Sequence, residues 1–271
     1  MGDKTKIQWA DATWNPVTGC TPISDGCANC YAAKMAKRLQ AMKVRGYEQG
    51  FAVTMHPDRL EQPLKWKKPR RIFVCSMGDL FHEAVPDEFL FRVMDTIRRA
   101  DIRREHQFLI LTKRSARMLH FFRELQWDSA GGGRIFRAPG GPEFHLLTLL
   151  KDSVQLGVTA ETQAQADARV ADLCKIPLVK RYVSVEPMLE IVDLSRWRYP
   201  PDPQFSGVGI DQVIVGCESG PGHRMMSLDW VRQLRDDCLS QDTPFFFKQA
   251  YIDGKKISMP ALDGKVWDEL T

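Results

Sequence analysis

Cys20, Cys27 and Cys30 fall within eleven residues in the spacing C-x6-C-x2-C, whereas Cys75, Cys174, Cys217 and Cys238 are scattered along the chain. Thiolates are soft ligands, so three on one short segment point to metal chemistry. Gly19, Pro22, Asp25 and Gly26 are turn formers that let the chain curl and aim three sulfurs at one centre. A helix is predicted from Cys30 to Met42, and the amides of its first turn favour a thiolate or a negatively charged cluster. The donor set suits either zinc with a remote fourth ligand or a 4Fe–4S cluster with one iron open to an outside ligand. A zinc finger normally brings a second ligand pair. None is present here, because the six histidines His56, His82, His106, His120, His145 and His223 are dispersed. A structural zinc site completed by one distant His or Cys stays open as the alternative.

The elements that must hold this segment show in the hydrophobic pattern. Short apolar runs at 72–75, 108–111, 155–158, 182–185, 213–216 and 245–247 read as strands buried on both faces. A weaker strand is expected at 53–55 and a first one near Trp9 to Trp14. Between them fall helical patterns. One opens at Pro86-Asp87-Glu88 with acids in its first turn, and others span 115–125, 162–173 with Thr162 as cap, and 227–240 with Ser227 as cap. Strand–helix alternation implies right-handed βαβ units. The expected fold is therefore α/β, a partial or complete parallel (β/α) barrel in one domain over 1–271. It carries a cysteine loop at 19–31 and flexible, glycine- and proline-rich insertions near 128–146 and 197–210.

The chain has 271 residues, 44% hydrophobic and 27% charged, which is ordinary globular composition and excludes a disordered chain. No apolar run approaches the ~20 residues that cross a bilayer. The first eleven residues lack the apolar core of a signal peptide, and Lys6 argues against myristoylation at Gly2. Seven cysteines, an odd number without an export signal, make a poor disulfide framework. A cytoplasmic protein with no membrane association is expected. A net charge of +4, from 38 basic and 34 acidic residues, neither requires nor excludes nucleic acid.

Motifs along almost the whole chain resemble a family of phage-encoded three-cysteine-motif proteins related to the radical S-adenosylmethionine (SAM) enzymes. The resemblance rests on Ile7-Gln8-Trp9 and Thr13-Trp14-Asn15-Pro16 before the cysteines, then Ser76-Met77-Gly78-Asp79-Leu80-Phe81 and Leu111-Thr112-Lys113-Arg114. It continues through Gly157-Val158-Thr159-Ala160-Glu161, Ser184-Val185-Glu186-Pro187, Gly216-Cys217-Glu218-Ser219-Gly220-Pro221 and Phe246-Phe247-Lys248-Gln249. Radical SAM enzymes usually carry C-x3-C-x2-C with an aromatic before the third cysteine. Here the first gap is six and Asn29 stands at that place, with Tyr31 following.

The resemblance implies a barrel of radical-SAM type, with Cys20, Cys27 and Cys30 holding a 4Fe–4S cluster and SAM as second cofactor. SAM would be cleaved reductively to a 5′-deoxyadenosyl radical. Barrel enzymes use the loops at the C-terminal ends of their strands, where most of these motifs fall. Ser76, Gly78 and Asp79 are thus expected at the methionine amino group and Lys113 at its carboxylate, with Glu161, Ser184 and Glu186 at the ribose. Asp79 could equally cap a loop, Lys113 could be a solvated side chain, and Glu161 could serve the first turn of its helix. The glycine-rich loop holding Glu218 and Arg224 could expose amides to an anion or adenine. Arg224, Lys248 and Gln249 are candidates for substrate contact, whereas Cys75 and Cys217 read as packed core thiols.

Lys65, Lys67, Lys68, Arg70 and Arg71 surround Trp66, and Arg98, Arg99, Arg103 and Arg104 close a helix. The Lys65 run could be a solvated loop, and basic helix ends are expected from the dipole. Trp66 among the cations, together with the radical SAM resemblance, makes a nucleic-acid base or nucleotide the expected substrate class. A flavodoxin- or ferredoxin-like reductant is the implied electron donor. Two non-catalytic alternatives are a zinc-stabilised nucleic-acid-binding protein and a cluster-bearing subunit of a neighbouring-gene partner.

Overall fold

The apolar runs become strands. A computed structural model describes residues 5–101, 106–123, 127–128, 133–137, 143–145, 153–176, 180–197 and 209–271. Most of both predicted insertions, and Arg103 and Arg104, lie outside the described residues.

In chain order the elements are β1 (Ala12–Trp14), β2 (Val17–Thr18), α1 (Tyr31–Ala41), β3 (Thr54–Met55), β4 (Arg71–Val74), α2 (Asp87–Asp101), β5 (Gln107–Thr112) and α3 (Ser115–Arg123). There follow β6 (Trp127–Asp128), β7 (Gly133–Arg137), β8 (Glu143–His145), β9 (Val154–Thr159), α4 (Gln163–Cys174), β10 (Lys180–Val185), β11 (Gln212–Gly216) and α5 (Leu228–Ser240). The chain closes with β12 (Phe245–Ile252), β13 (Lys255–Ser258), β14 (Ala261–Leu262) and β15 (Lys265–Val266). The fold is mixed α/β with a mostly parallel eight-stranded sheet, in the hydrogen-bonding order β1-β4-β5-β9-β10-β11-β12-β13.

The chain divides into two compact units. One comprises Met1–Thr21, Ala32–Leu156 and Leu178–Lys180; the other comprises Pro22–Tyr31, Gly157–Pro177 and Arg181–Thr271. In the first, β4 pairs in parallel with both β1 and β5. Phe108, Leu109 and Ile110 are fully buried, and Trp14 meets Phe108 edge-on with ring centroids 6.0 Å apart. The unbroken apolar runs follow from this burial, since a strand covered on both faces has no polar side to alternate. The α2 helix buries Phe89, Leu90, Val93, Met94 and Ile97, the helical spacing read in the sequence.

In the second unit β11 pairs in parallel with β10 and β12. The Thr162 hydroxyl accepts from the Gln165 amide at the start of α4, and Ser227 accepts from Asp229 at the start of α5, as the capping pattern predicts. The last strand differs from expectation. It runs to Ile252 because β13 pairs with it antiparallel, placing Gln249 opposite Ser258. Lys248 and Gln249 therefore lie inside β12 rather than at its end.

Candidate functional site

In the first unit the chain reaches Cys20 through a narrow passage. The Gly19 amide donates to the Met77 carbonyl at 2.8 Å. A Cβ on Gly19, whose φ is +85°, would stand 2.1 Å from the Ala52 carbonyl oxygen, and one on Gly78 would stand 2.9 Å from that of Gly19. Gly78 thus permits a close backbone approach, and the approaching group is the chain's own cysteine segment. Ser76 and the Met77 amide both donate to the Asn15 carboxamide oxygen, at 3.2 and 2.9 Å, tying the loop after β4 to the end of β1.

Asp79 is 5% exposed, and both its oxygens are occupied. Oδ1 accepts from the Thr112 hydroxyl at 2.7 Å and the Phe81 amide at 3.0 Å, and Oδ2 from the Lys113 amide at 3.2 Å and Arg114 Nη1 at 3.3 Å. Arg114 is the hub of this unit. Its guanidinium donates to Cys20 Sγ at 3.2 Å, to the Thr21 carbonyl and hydroxyl at 3.1 and 2.9 Å, and to Glu83 at 2.8 Å. Burial opposes the Arg114 charge, but the bonds and charges of Glu83, Asp79 and Cys20 outweigh it and hold the group firmly protonated.

His82 completes the grip. Its Nδ1 accepts from the Ala84 amide at 3.0 Å, so Nε2 carries the proton and donates to Thr21 Oγ1 at 2.8 Å. Burial and then the Arg114 charge lower its pKa and keep the ring neutral. With both nitrogens in use, His82 is a poor source for the remote fourth ligand of a zinc site. His56 engages Thr18 Oγ1 through Nε2 at 2.7 Å.

The second unit holds the rest of the cysteine loop by its turn. Residues Asp25–Cys27 form one turn of 3-10 helix, and the Cys30 amide donates to the Cys27 carbonyl at 3.2 Å. Ser24 donates to Glu161, which is fully buried and bound on its other oxygen by Arg169 at 2.6 Å. Ser24 Oγ also lies 3.7 Å from Cys27 Sγ. Two residues on, Asn29 donates to Glu218 and to the Gly222 carbonyl, both at 3.0 Å. Arg224 binds the same Glu218 carboxylate through backbone and side chain, and its guanidinium donates to the Asp25 carbonyl at 2.8 Å. Burial alone would raise the Glu218 carboxyl; the Arg224 and Asn29 bonds pull it down to about 2.

Past these ties, at the end of β10, Glu186 takes both contacts of the Lys248 ammonium, at 2.8 and 3.0 Å, with each side chain partly exposed. Gln249 is buried and donates to the Cys217 carbonyl at 2.7 Å, and Ser184 is buried in its strand. His223 stacks on Tyr251 with centroids 3.5 Å apart and planes 4° from parallel.

The geometry brings some candidates together and gives others a different occupation. Asp79, Glu161 and Glu218 are joined to the cysteine segment's own anchors, each saturated by protein donors. Glu186 and Lys248 pair with each other. Trp66, expected beside the basic run as a stacking platform, is buried against His106 with Arg70 over its face, because the apolar ring gains more from the core than from water. Sequence reasoning missed Arg114, Arg169, Ser24, Asn29 and the His223–Tyr251 stack. Arg114, Ser24 and Asn29 sat inside quoted motifs.

Over residues 4–271 the chain matches a family described as a protein of unknown function, DUF5131. The chain belongs to the DUF5131 family. No curated protein and no solved structure matches it. Within this DUF5131 chain the thiols fall into two chemical classes. Cys20, Cys27 and Cys30 are half-buried, and none of the seven is in a disulfide. The other four are buried, and burial pushes Cys75 up to about 12 and Cys174 and Cys217 to about 11, which makes them poor thiolate ligands. The three-cysteine set fits a soft-metal group by donor chemistry. Among the described residues no three or more His, Cys, Asp or Glu side chains are gathered as a bound ion needs, so metal would itself have to draw the thiols together. No helix among the described residues is long and apolar enough to cross a membrane.

Proposed function

We propose that this DUF5131 chain is a radical SAM-type enzyme, a partial barrel akin to the phage three-cysteine proteins, acting in the cytoplasm on a nucleic-acid base or nucleotide. Cys20, Cys27 and Cys30 would hold a 4Fe–4S cluster, with a flavodoxin- or ferredoxin-like protein as reductant. When bound, that cluster supplies the electron that cleaves SAM to methionine and a 5′-deoxyadenosyl radical. The observation that carries the reading is the sorting of the thiols: three accessible ones on one anchored loop, four sealed in the core.

The chain's own residues do the positioning. Arg114 fixes Cys20 and Thr21, while Glu161 and Glu218 fix the turn around Cys27 through Ser24, Asn29 and Arg224. Saturated in this way, Asp79, Glu161 and Glu218 serve the loop. Glu186 and Lys248 pair with each other, and we assign that pair to SAM, Lys248 for the methionine carboxylate and Glu186 for the ribose hydroxyls.

Anaerobic reconstitution with iron and sulfide tests the reading. The wild-type chain is expected to take up iron and sulfide, lose both in Cys27→Ala, and release 5′-deoxyadenosine from SAM with dithionite. Zinc in place of iron in anaerobically purified protein, or equal iron and sulfide in Cys27→Ala, would overturn it.

A further inference from the structure

Two aromatic rings at the surface of the second unit have no part in the anchoring described above. In the core, Trp14 meets Phe108 and Phe121 meets Phe122 edge to face. His223 and Tyr251 instead lie face to face, with centroids 3.5 Å apart and planes within 4° of parallel, and both are partly exposed. Two rings left to themselves prefer an offset or edge-on contact. Here Gly220 imposes the parallel one. Its amide donates to the Tyr251 hydroxyl at 3.4 Å, and its carbonyl accepts from the His223 amide at 3.3 Å and from the ring Nδ1 at 3.1 Å. Gly220 does this at φ +96°, a conformation that glycine adopts without strain. Polar atoms at the edges of both rings thus hold them in place, and the outer faces of a rigid pair are left for a ligand.

The surroundings suit a nucleotide. The β12–β13 register sets Tyr251 opposite Lys256, and cross-strand partners share one face of the sheet. Lys256 is exposed, with its ammonium 3.5 Å from the neutral Gln249 carboxamide oxygen, and among the described residues no carboxylate pairs with it. On the His223 side, a Cβ on Gly222 would meet nothing within 4 Å, so there is room beside the pair. The Gly222 carbonyl also accepts from Asn29, the residue before Cys30, at 3.0 Å. The rings therefore stand next to the tie that holds the cysteine loop, and all these residues belong to the same unit.

We propose that an outer face of the His223–Tyr251 pair stacks a nucleobase of the substrate, with Lys256 meeting its phosphate. Every base has a π-face, so a fixed aromatic pair beside a cation takes a nucleotide by stacking and by charge together. The adenine of SAM is the competing purine. Its sulfonium and ammonium are cations that Lys256 repels, whereas a phosphate is drawn to it. The run at Lys65–Arg71 offers charge without a platform, since Trp66 is buried. The inference rests on the proposed function in calling the ligand a substrate, and deepens that reading by giving the base a place beside the cysteine loop.

The test titrates the full-length chain against 2-aminopurine riboside 5′-monophosphate, whose fluorescence falls when the base stacks. Saturable quenching is expected. Tyr251→Ala should weaken binding about 5- to 150-fold, and Tyr251→Phe, which keeps the ring, by less than about threefold. Lys256→Glu, at an exposed position, should weaken the monophosphate about threefold or more and leave the unphosphorylated riboside unchanged. K67E/K68E, in the basic run around Trp66, should leave both probes unchanged. The proposal is overturned by absence of quenching, by equal losses in Tyr251→Ala and Tyr251→Phe, or by a Lys256→Glu variant that affects both probes alike. It is overturned equally if K67E/K68E matches Lys256→Glu. Displacement of the probe by SAM but not by adenosine 5′-monophosphate would give the rings to the cofactor and overturn it too. Iron uptake and SAM cleavage without quenching would sink this inference alone, and quenching without iron uptake would sink only the cluster reading.

Discussion

The cysteine segment is anchored by arginines in both units, and the two anchors differ in kind. In the first, Arg114 bonds directly to the Cys20 sulfur and to Thr21 beside it. In the second, Arg169 and Arg224 each grip a carboxylate that binds a neighbour of Cys27 or Cys30, and Arg224 also holds the Asp25 carbonyl, a backbone contact rather than one to a sulfur. The Cys20 sulfur therefore feels a guanidinium, whereas Cys27 has the Ser24 hydroxyl nearby. Direct contact sets the electrostatics of a thiol; contact through a buried carboxylate sets only its place.

Removing each arginine tests the distinction. Arg169→Ala strips the fully buried Glu161 of its paired guanidinium, and should cost about 3–5 kcal/mol in urea unfolding. Adding Glu161→Gln should recover much of this, because the buried charge goes with it. A loss under about 1 kcal/mol would mean that Glu161 is not the pinned anchor described above.

Arg114→Ala should cost less, about 2 kcal/mol, since Asp79 keeps three other donors and Glu83 is largely exposed. Its distinctive effect is on Cys20: mass spectrometry after brief iodoacetamide treatment should show Cys20 labelling altered and Cys27 and Cys30 labelling unchanged. Equal change at all three thiols would erase the contrast between direct and relayed anchoring.

These ties explain what was legible in the sequence. Strands, helices and both caps follow from local periodicity and local hydrogen bonds, so β4, β5, β9 and β11 match to within a residue or two at each end. Cys20, Cys27 and Cys30 stood out through spacing alone. The partners of the carboxylates did not, because Ser24 and Glu161 are 137 residues apart and Asn29 and Glu218 are 189 apart. A carboxylate at a strand end looks the same in sequence whether it awaits a ligand or binds its own chain. Trp66 illustrates the same limit: beside five cations it reads as a stacking platform, yet its ring is buried.

Acid should separate the two anchors. The Glu218 carboxyl, near 2 in the folded chain against an ordinary 4.5, contributes stability above pH 4.5 that is lost as pH falls through about 2. Arg224 is partly exposed, which reduces the contribution to about 1–2 kcal/mol. Glu218→Gln should flatten the stability profile between pH 4.5 and 2 and leave Arg114-dependent behaviour at Cys20 untouched. An unchanged profile would show that the Arg224–Glu218 tie does not stabilise the fold.

The smallest effect is expected at Gly222, in the loop whose carbonyl holds Asn29. Its φ is +75°, and a Cβ there would meet nothing within 4 Å. Gly222→Ala should therefore cost only the left-handed strain, about 1 kcal/mol, with no steric addition. Gly19, at φ +85°, has the Ala52 carbonyl 2.1 Å from where its Cβ would stand, so the same change there must also move backbone. Thermal unfolding of the two variants compares them directly. If Gly222→Ala destabilises as much as Gly19→Ala, the second unit's hold on its turn is as tight as the passage to Cys20, and anchoring at one remove is no looser than anchoring by contact.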